Sequence, residues 1–252
     1  MWVVAGPEPE FDQSQRFLVL DRRFWVVVPA AGSARRMGGA VPKQYLPLAG
    51  RAVIEWSLAP FLAHERTAGI VVALSAEDRR WPHLAFASDA KIATTIGGAE
   101  RMDSVLAGLR ALQDRATPDD WVLVHDAARP CLSAIDLDRL LNELNDDDVG
   151  GLLAAPVVDT LKRADDGGRV AQTVTRDKLW RALTPQMFRL DILQRALDAA
   201  VAQRIAVTDE AQAVEALGLQ PKLVAGDADN IKITLPEDLP RAERILKLRS
   251  AT

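Results

Sequence analysis

The stretch VVVPAAGSARRMGGAVPKQ, Val26 to Gln44, decides the reading of the fold. It continues an apolar, β-branched run, FWVVV from Phe24 to Val28, with no polar alternation. Such a run marks a strand covered on both faces. It then passes through Ala30, Ala31, Gly32, Ser33 and Ala34 before collecting Arg35, Arg36 and Lys43. In an open α/β sheet, ligands sit beyond the carboxyl ends of the strands. Small residues at that edge let backbone N–H groups approach an anion. An arginine adds a bidentate contact and a lysine a point charge. The loop is neither a Walker sequence, which needs Gly-Lys-Ser/Thr, nor GxGxxG, since Ala34 stands where the second glycine would be. A tight turn beside a solvated arginine pair is the plainer alternative. The position directly after the first buried strand favours an anion site.

Outward from this stretch, apolar runs alternate with helical spacing. Ile70–Leu74, Lys91–Ile96, Trp121–Asp126 and Gly150–Val157 read as further strands. Val53, Ile54, Leu58, Phe61 and Leu62 share one helical face, and Val105, Leu109 and Leu112 another. Leu137, Leu140, Leu141 and Leu144 form a third, started by Ser133 and Asp136. Strand followed by helix, repeated, implies right-handed crossovers. The expected fold is α/β: a Rossmann-like, mostly parallel sheet with helices on both faces. Val157–Trp180 breaks the rhythm as two extended stretches around Asp165-Asp166-Gly167-Gly168, a β-hairpin with little to bury by itself. It reads as a protruding arm that packs on the body or on a second subunit. Leu190, Leu193, Leu197 and Val201 then form a helix. Thr208 begins another that Gly218 ends, and Thr234, Pro236 and Glu237 announce the last. Residues 1–23 read as a flexible N-terminal extension and 24–252 as one domain, with the arm at about 157–180.

Composition narrows the function classes. Of 252 residues, 48% are apolar and 26% charged, a globular mix without a membrane-spanning run. The formal charge of −4 leaves no global basic field for a nucleic-acid backbone. Any phosphate must be caught by local cations. The one cysteine, Cys131, cannot form an internal disulfide, which suits a cytoplasmic setting. WVLVHDAARP, from Trp121, puts Asp126 at a strand end, where a carboxylate either holds Mg²⁺ together with substrate phosphates or caps a helix and pairs locally. Arg129 either clamps an anion or pairs with Asp126. His125 reads as a hydrogen-bonded wall residue, and Cys131 as buried rather than nucleophilic. Lys232 lies between strand-like Ile231 and Ile233 and points away from both; a lysine so placed is usually solvated, and it bears on the site only if its strand ends beside Asp126. Asp229 is a second metal ligand or a turn residue. Gly97 and Gly98 permit close backbone approach, and Ser104 is a helix N-cap or a hydrogen-bonding partner for a base edge.

PAAGSARRMG, PKQYLPLAG, GGAERMDSVLAGL, VHDAARP, APVVDTLKR, LWRALTPQMF, VTDEAQAVE and DNIKIT, in that order, resemble the 2-C-methyl-D-erythritol 4-phosphate cytidylyltransferase family from about Phe24 to the last helix. The resemblance implies transfer of CMP from CTP to the polyol phosphate, with Mg²⁺ and release of pyrophosphate. It implies Arg36, Lys43 and Lys232 as the catalytic cations. Pro29, Ala30, Ala31, Gly32, Gly98, Ser104, Asp126 and Ala127 would hold the nucleotide, with Asp126 and Asp229 at the metal. Arg129, Thr160, Arg176 and Thr184 would bind methylerythritol phosphate, the hairpin arm embracing the second subunit of a homodimer. The rival expectations are another acceptor, such as ribitol phosphate, or a non-catalytic nucleotide-binding protein on the same fold. Two positions depart from the family pattern: Ala34 in the loop, and Ala99, where an acid often stands beside the glycine pair.

Overall fold

The computed structural model describes residues 23–32 and 41–250, so the extension before Arg23 and the loop positions Ser33, Ala34, Arg35 and Arg36 lie outside the described residues. β1 (Phe24–Pro29) leads through a short 3₁₀ turn, Lys43–Tyr45, to a small hairpin of β2 (Pro47–Leu48) and β3 (Arg51–Ala52). Then follow α1 (Val53–Ala63), β4 (Thr67–Leu74), β5 (Ile92–Ile96), α2 (Arg101–Arg110), β6 (Trp121–Val124), α3 (Ala134–Leu144) and β7 (Gly150–Pro156). β8 (Leu161–Ala164) and β9 (Val170–Val174) precede β10 (Trp180–Arg189), α4 (Leu190–Ala202), α5 (Glu210–Ala216), β11 (Lys222–Ala225) and α6 (Asp238–Ser250).

A seven-stranded sheet runs β11-β7-β10-β6-β1-β4-β5. β10 is antiparallel to both its neighbours, and the other pairings are parallel. The continuous apolar runs are explained by two covered faces. Val26, Val28, Ile70, Val72 and Leu123 pack on one side with Ile54, Leu58 and Phe61 of α1 and Leu137, Leu140 and Leu144 of α3. Val27, Val71, Val122 and Val124 face the other side with Val105 and Leu109 of α2, Leu193 and Leu197 of α4, and Val214 of α5. Successive side chains of one strand thus feed two cores. A third cluster joins Ile231 and Ile233 to Val53 and to Ala242 and Ile245 of α6. Because both isoleucines are buried there, Lys232 between them is turned the other way.

Local signals behave as their chemistry dictates. Ser133 Oγ accepts from Asp136 N–H at 3.1 Å to start α3. The Asp238 carboxylate accepts from the N–H groups of Thr234 and Leu235, both at 2.8 Å. Asp165 Oδ1 accepts from Gly167 and Arg169 N–H groups, with Gly168 at φ +74°, and closes the β8–β9 hairpin as a separate two-stranded sheet.

Four expectations need correction. Ser104 is not the N-cap of α2. Glu100 is, and the Ser104 hydroxyl turns back to the Glu100 carbonyl at 3.3 Å from inside the first turn. The segment around Ile231 and Ile233 forms no strand; Ile231 N–H donates to Asp229 O at 2.7 Å and Ile233 N–H to Ala128 O at 2.8 Å. The cap of α5 is Asp209 rather than Thr208, and Val201 is exposed while Ala200 takes the buried position on α4. The sequence reading named no strand at β10, whose Pro185 is a residue disfavoured in interior strands. The structure accommodates it where the pairing of β10 with β7 skips from Ala182 to Gln186, so the proline interrupts no ladder bond.

His125 closes the sheet beneath the strand ends. It is fully buried, its N–H donates to Val27 O at 3.0 Å, and its ring bridges Thr184 Oγ1 at 3.0 Å and Arg129 O at 3.1 Å. Thr184 Oγ1 accepts from Asp126 N–H, so its own proton points at His125 Nδ1 and leaves Nε2–H to donate to Arg129 O. Burial pushes the imidazole down to about 4, against the attraction of Asp126.

Unfolded, the ring takes a proton below about 6.5, whereas the folded ring stays neutral down to about 4. The stability this contributes, about 3 kcal/mol, is therefore complete above pH 6.5 and is lost as pH falls from 6.5 towards 4. Urea unfolding at pH 7.5 and 4.5 should show a clearly smaller loss for His125→Asn than for the wild type. Equal losses would remove the neutral buried imidazole from the account.

Candidate active site

The carboxyl ends of β1 and β6 open on a cleft of about 270 Å³. Pro29, Ala30, Ala31 and Gly32 form one wall. Gly98, Arg101 and Ser104, at the start of α2, form a second. Asp126, Ala127 and Ala128 form the floor, with Lys43 and Lys232 at the sides. The walls approach closely because Gly97 has no side chain: a Cβ there would lie 2.7 Å from Ser104 Oγ and 2.8 Å from Ala31 Cβ. The strand-to-loop exit is held from below by Gln44. Its Nε2 donates to Ala30 O at 2.7 Å and to Gly32 O at 3.3 Å from a buried position. Lys43, one residue earlier, lies on the same 3₁₀ turn.

Asp126 is the electrostatic centre. Arg101 Nε donates to its Oδ1 at 3.1 Å, while Lys232 Nζ at 2.8 Å and Arg129 Nε at 3.3 Å share Oδ2. Burial alone would push this carboxyl up. The charges of Arg101, Lys232 and Arg129 outweigh it and hold it well below the usual carboxylate range. Arg101 is in turn forked by Glu210, with Nη1–Oε1 at 2.5 Å and Nη2–Oε2 at 3.0 Å. Against the opposing effect of burial, Glu210 and then Asp126 raise its pKa further above the ordinary arginine value. Cys131 is fully buried and its thiol is pushed up to about 12 by burial, which leaves it protonated and without nucleophilic character.

Of the residues singled out from sequence, Pro29, Ala30, Ala31, Gly32, Lys43, Gly98, Ser104, Asp126, Ala127 and Lys232 all line this cleft. Arg36 lies outside the described residues. Arg129 is not on the lining: its guanidinium spans Asp126, Asn230 O at 2.7 Å and Ala182 O at 3.4 Å, and so ties three segments together. Thr184 is likewise buried behind the floor, bonded to Asp126 N–H and His125. Thr160 and Arg176 sit exposed at the base of the β8–β9 hairpin, where Arg176 donates to Val158 O. Asp229 is absent from the lining and half-exposed, 3.9 Å from Arg241.

For a magnesium ion, the cleft offers the ionised Asp126, with Glu100 also on its lining, and no group of three or more His, Cys, Asp or Glu side chains forms a cage among the described residues. That donor set fits Mg²⁺, which takes one or two carboxylates and leaves its other positions to water and phosphate. Sequence reasoning missed Gln44, Arg101 and Glu210. Gln44 was visible only as the end of PKQ. Arg101 and Glu210 are 109 positions apart, and no local spacing links them.

Residues 24–248 match the family model described as 2-C-methyl-D-erythritol 4-phosphate cytidylyltransferase. A protein of that name from Pseudomonas aeruginosa is 57% identical over 222 residues, 88% of this chain and 95% of the relative. Another, from Ectopseudomonas mendocina, is 58% identical over 221 residues, covering 87% and 94%. Among solved structures, a 4-diphosphocytidyl-2C-methyl-D-erythritol synthase superposes with a TM-score of 0.78 at 37% identity, covering 89% of this chain and 99% of the other. The Francisella tularensis 2-C-methyl-D-erythritol 4-phosphate cytidylyltransferase gives 0.77 at 34% identity, covering 88% and 99%. With its sheet, its cleft and this similarity along nearly its whole described length, the chain belongs to the 2-C-methyl-D-erythritol 4-phosphate cytidylyltransferase family.

Proposed function

We propose that this protein transfers CMP from CTP to 2-C-methyl-D-erythritol 4-phosphate, releasing pyrophosphate, in isoprenoid precursor synthesis. The observation that carries the reading is the convergence of Lys43, Lys232 and Asp126 on one cleft walled by small residues. An acceptor phosphate oxygen attacks the α-phosphorus of CTP. The new P–O bond forms as the bond to the β-phosphate oxygen breaks, and the electron pair leaves on pyrophosphate. The protein positions the two phosphates and offsets the charge that builds on the α-phosphoryl oxygens. Lys43 and Lys232 supply that charge, with Arg36 as the third cation. Backbone groups of Ala30, Ala31 and Gly98, with Ser104, suit the cytidine. Magnesium held on Asp126 would supply further charge neutralisation on the triphosphate oxygens. Asp229 remains a second ligand only through a rearrangement away from Arg241, so Asp126 is the stronger assignment.

The acceptor side rests on the arm. Val158 and Val170 are exposed there, and Trp180 at its base is partly so. Isolated two-stranded hairpins are marginal in water, so we assign this apolar surface to a second copy, forming a homodimer. Thr160 and Arg176 on the arm would then meet acceptor phosphate at the neighbour's cleft, while Arg129 and Thr184 act by holding Asp126. The catalytic unit is one domain from residue 24 onward, and a reduced, buried Cys131 suits the cytoplasm.

Pyrophosphate release from CTP is expected with methylerythritol phosphate and not with ribitol phosphate; the reverse preference would reassign the acceptor. Lys43→Ala should lower kcat/KM on the order of 10²–10³-fold, and near wild-type turnover would end that role. Light scattering should give twice the chain mass, falling to one chain mass when residues 161–174 are replaced by a short Gly/Ser turn. A monomeric mass for the intact protein would sink the arm assignment.

A further inference from the structure

We infer that Glu210 is a positioning residue for nucleotide transfer, acting on Asp126 through Arg101. Glu210 is buried, with 1% of its side chain exposed, and it does not line the cleft. Both its oxygens are committed to one partner, the terminal nitrogens of Arg101. The third nitrogen of that guanidinium, Nε, is aimed at Asp126 Oδ1. A guanidinium is planar and its donors are fixed relative to one another. Clamping one edge on Glu210 therefore sets the direction of the other edge, and with it the plane of the Asp126 carboxylate.

The charge arithmetic points the same way. Arg101 is the first residue of α2, where the helix dipole disfavours a cation. It also stands beside Lys232 and Arg129 around a single carboxylate. Glu210 offsets this charge from the first turn of α5, where the dipole favours an anion. The clamp is itself anchored. The cap residue Asp209 accepts from Gln186 Nε2 at 3.0 Å, and Gln186 Oε1 accepts from Ala211 N–H at 2.8 Å, so the start of α5 is tied to the interior strand β10. Without Glu210, Arg101 is free to turn both its edges onto Asp126 or onto a phosphate, and Oδ1 loses its fixed orientation toward the cleft.

The inference rests on CTP occupying the cleft, so the wild type is assayed first. Absence of CTP-dependent pyrophosphate release overturns the functional reading and this inference together. Given an active wild type, Glu210→Gln keeps the side chain's size and removes its charge. It should lower kcat/KM for CTP roughly 10–100-fold and raise the Mg²⁺ concentration giving half-maximal rate. Glu210→Asp, which keeps the charge on a shorter arm, should recover part of that loss. The effect of Glu210→Gln should also largely disappear in an Arg101→Met background, because the strut has then already lost its middle member. A general packing role for Glu210 predicts additive losses and no change in Mg²⁺ dependence. Either of those results, or wild-type kinetics for a folded Glu210→Gln, overturns the proposal. If Glu210→Gln does not fold, the comparison of Glu210→Asp alone and with Arg101→Met decides by the same additivity.

Discussion

The rest of the structure depends on keeping one buried carboxylate ionised. Asp126 is 6% exposed, and removing an ion from water costs several kcal/mol unless it is paired and hydrogen-bonded. Its partners come from three separate segments: Arg101 from α2, Arg129 from the turn after β6, and Lys232 from the run before α6. None of them can stay in place unless its own element is packed. The third apolar cluster, in which Ile231 and Ile233 sink against α6, is therefore as much part of the site as Lys232 itself. Losing one cation would still leave Asp126 two others, whereas losing all three would strand a buried charge, so the ion cluster and the core around it stand together.

The same cluster explains how a chain of net charge −4 presents a cleft suited to a triphosphate. Cations are concentrated at one rim, between low-dielectric walls made of alanine and glycine. There the field acts over a short distance and is little diluted by the acidic remainder of the surface. Asp126 and Glu210 do not cancel this field. They hold the direction of the guanidinium between them, and Lys43 and Lys232 line the same cleft.

The legible part of this protein was the part with local cause. β1, β4 and β6 announced themselves because two covered faces require unbroken apolar runs, and α3 because Ser133 and Asp136 satisfy its first turn within three residues. The small-residue walls were legible too, because glycine and alanine directly after the first buried strand, followed by cations, favour an anion site over a plain tight turn. β10 was not named, and it carries Pro185, whose penalty is avoided by a skip in register that depends on β7, a strand roughly 30 residues away. Ser104 was misread as a cap because Glu100 takes that position, its N–H donating to Asp103 Oδ2 at 3.1 Å. The Arg101–Glu210 fork had no local signature at all. An ion pair across 109 residues becomes visible only once the strands between them have been ordered.

β10 also determines what surrounds the cleft. Parallel strands all deliver their carboxyl ends to one edge, and the chain must then return by a helix before it can reach that edge again. An antiparallel strand starts where its parallel neighbours finish. Trp180, the first residue of β10, is paired with Pro156, the last of β7. The whole excursion between them, hairpin included, must therefore leave and rejoin the sheet at the ligand edge. Further along the same strand, Thr184 lies behind the floor, where its hydroxyl accepts from Asp126 N–H and meets His125. One reversal of strand direction thus backs the central carboxylate from inside and starts the hairpin excursion from the ligand edge of the sheet.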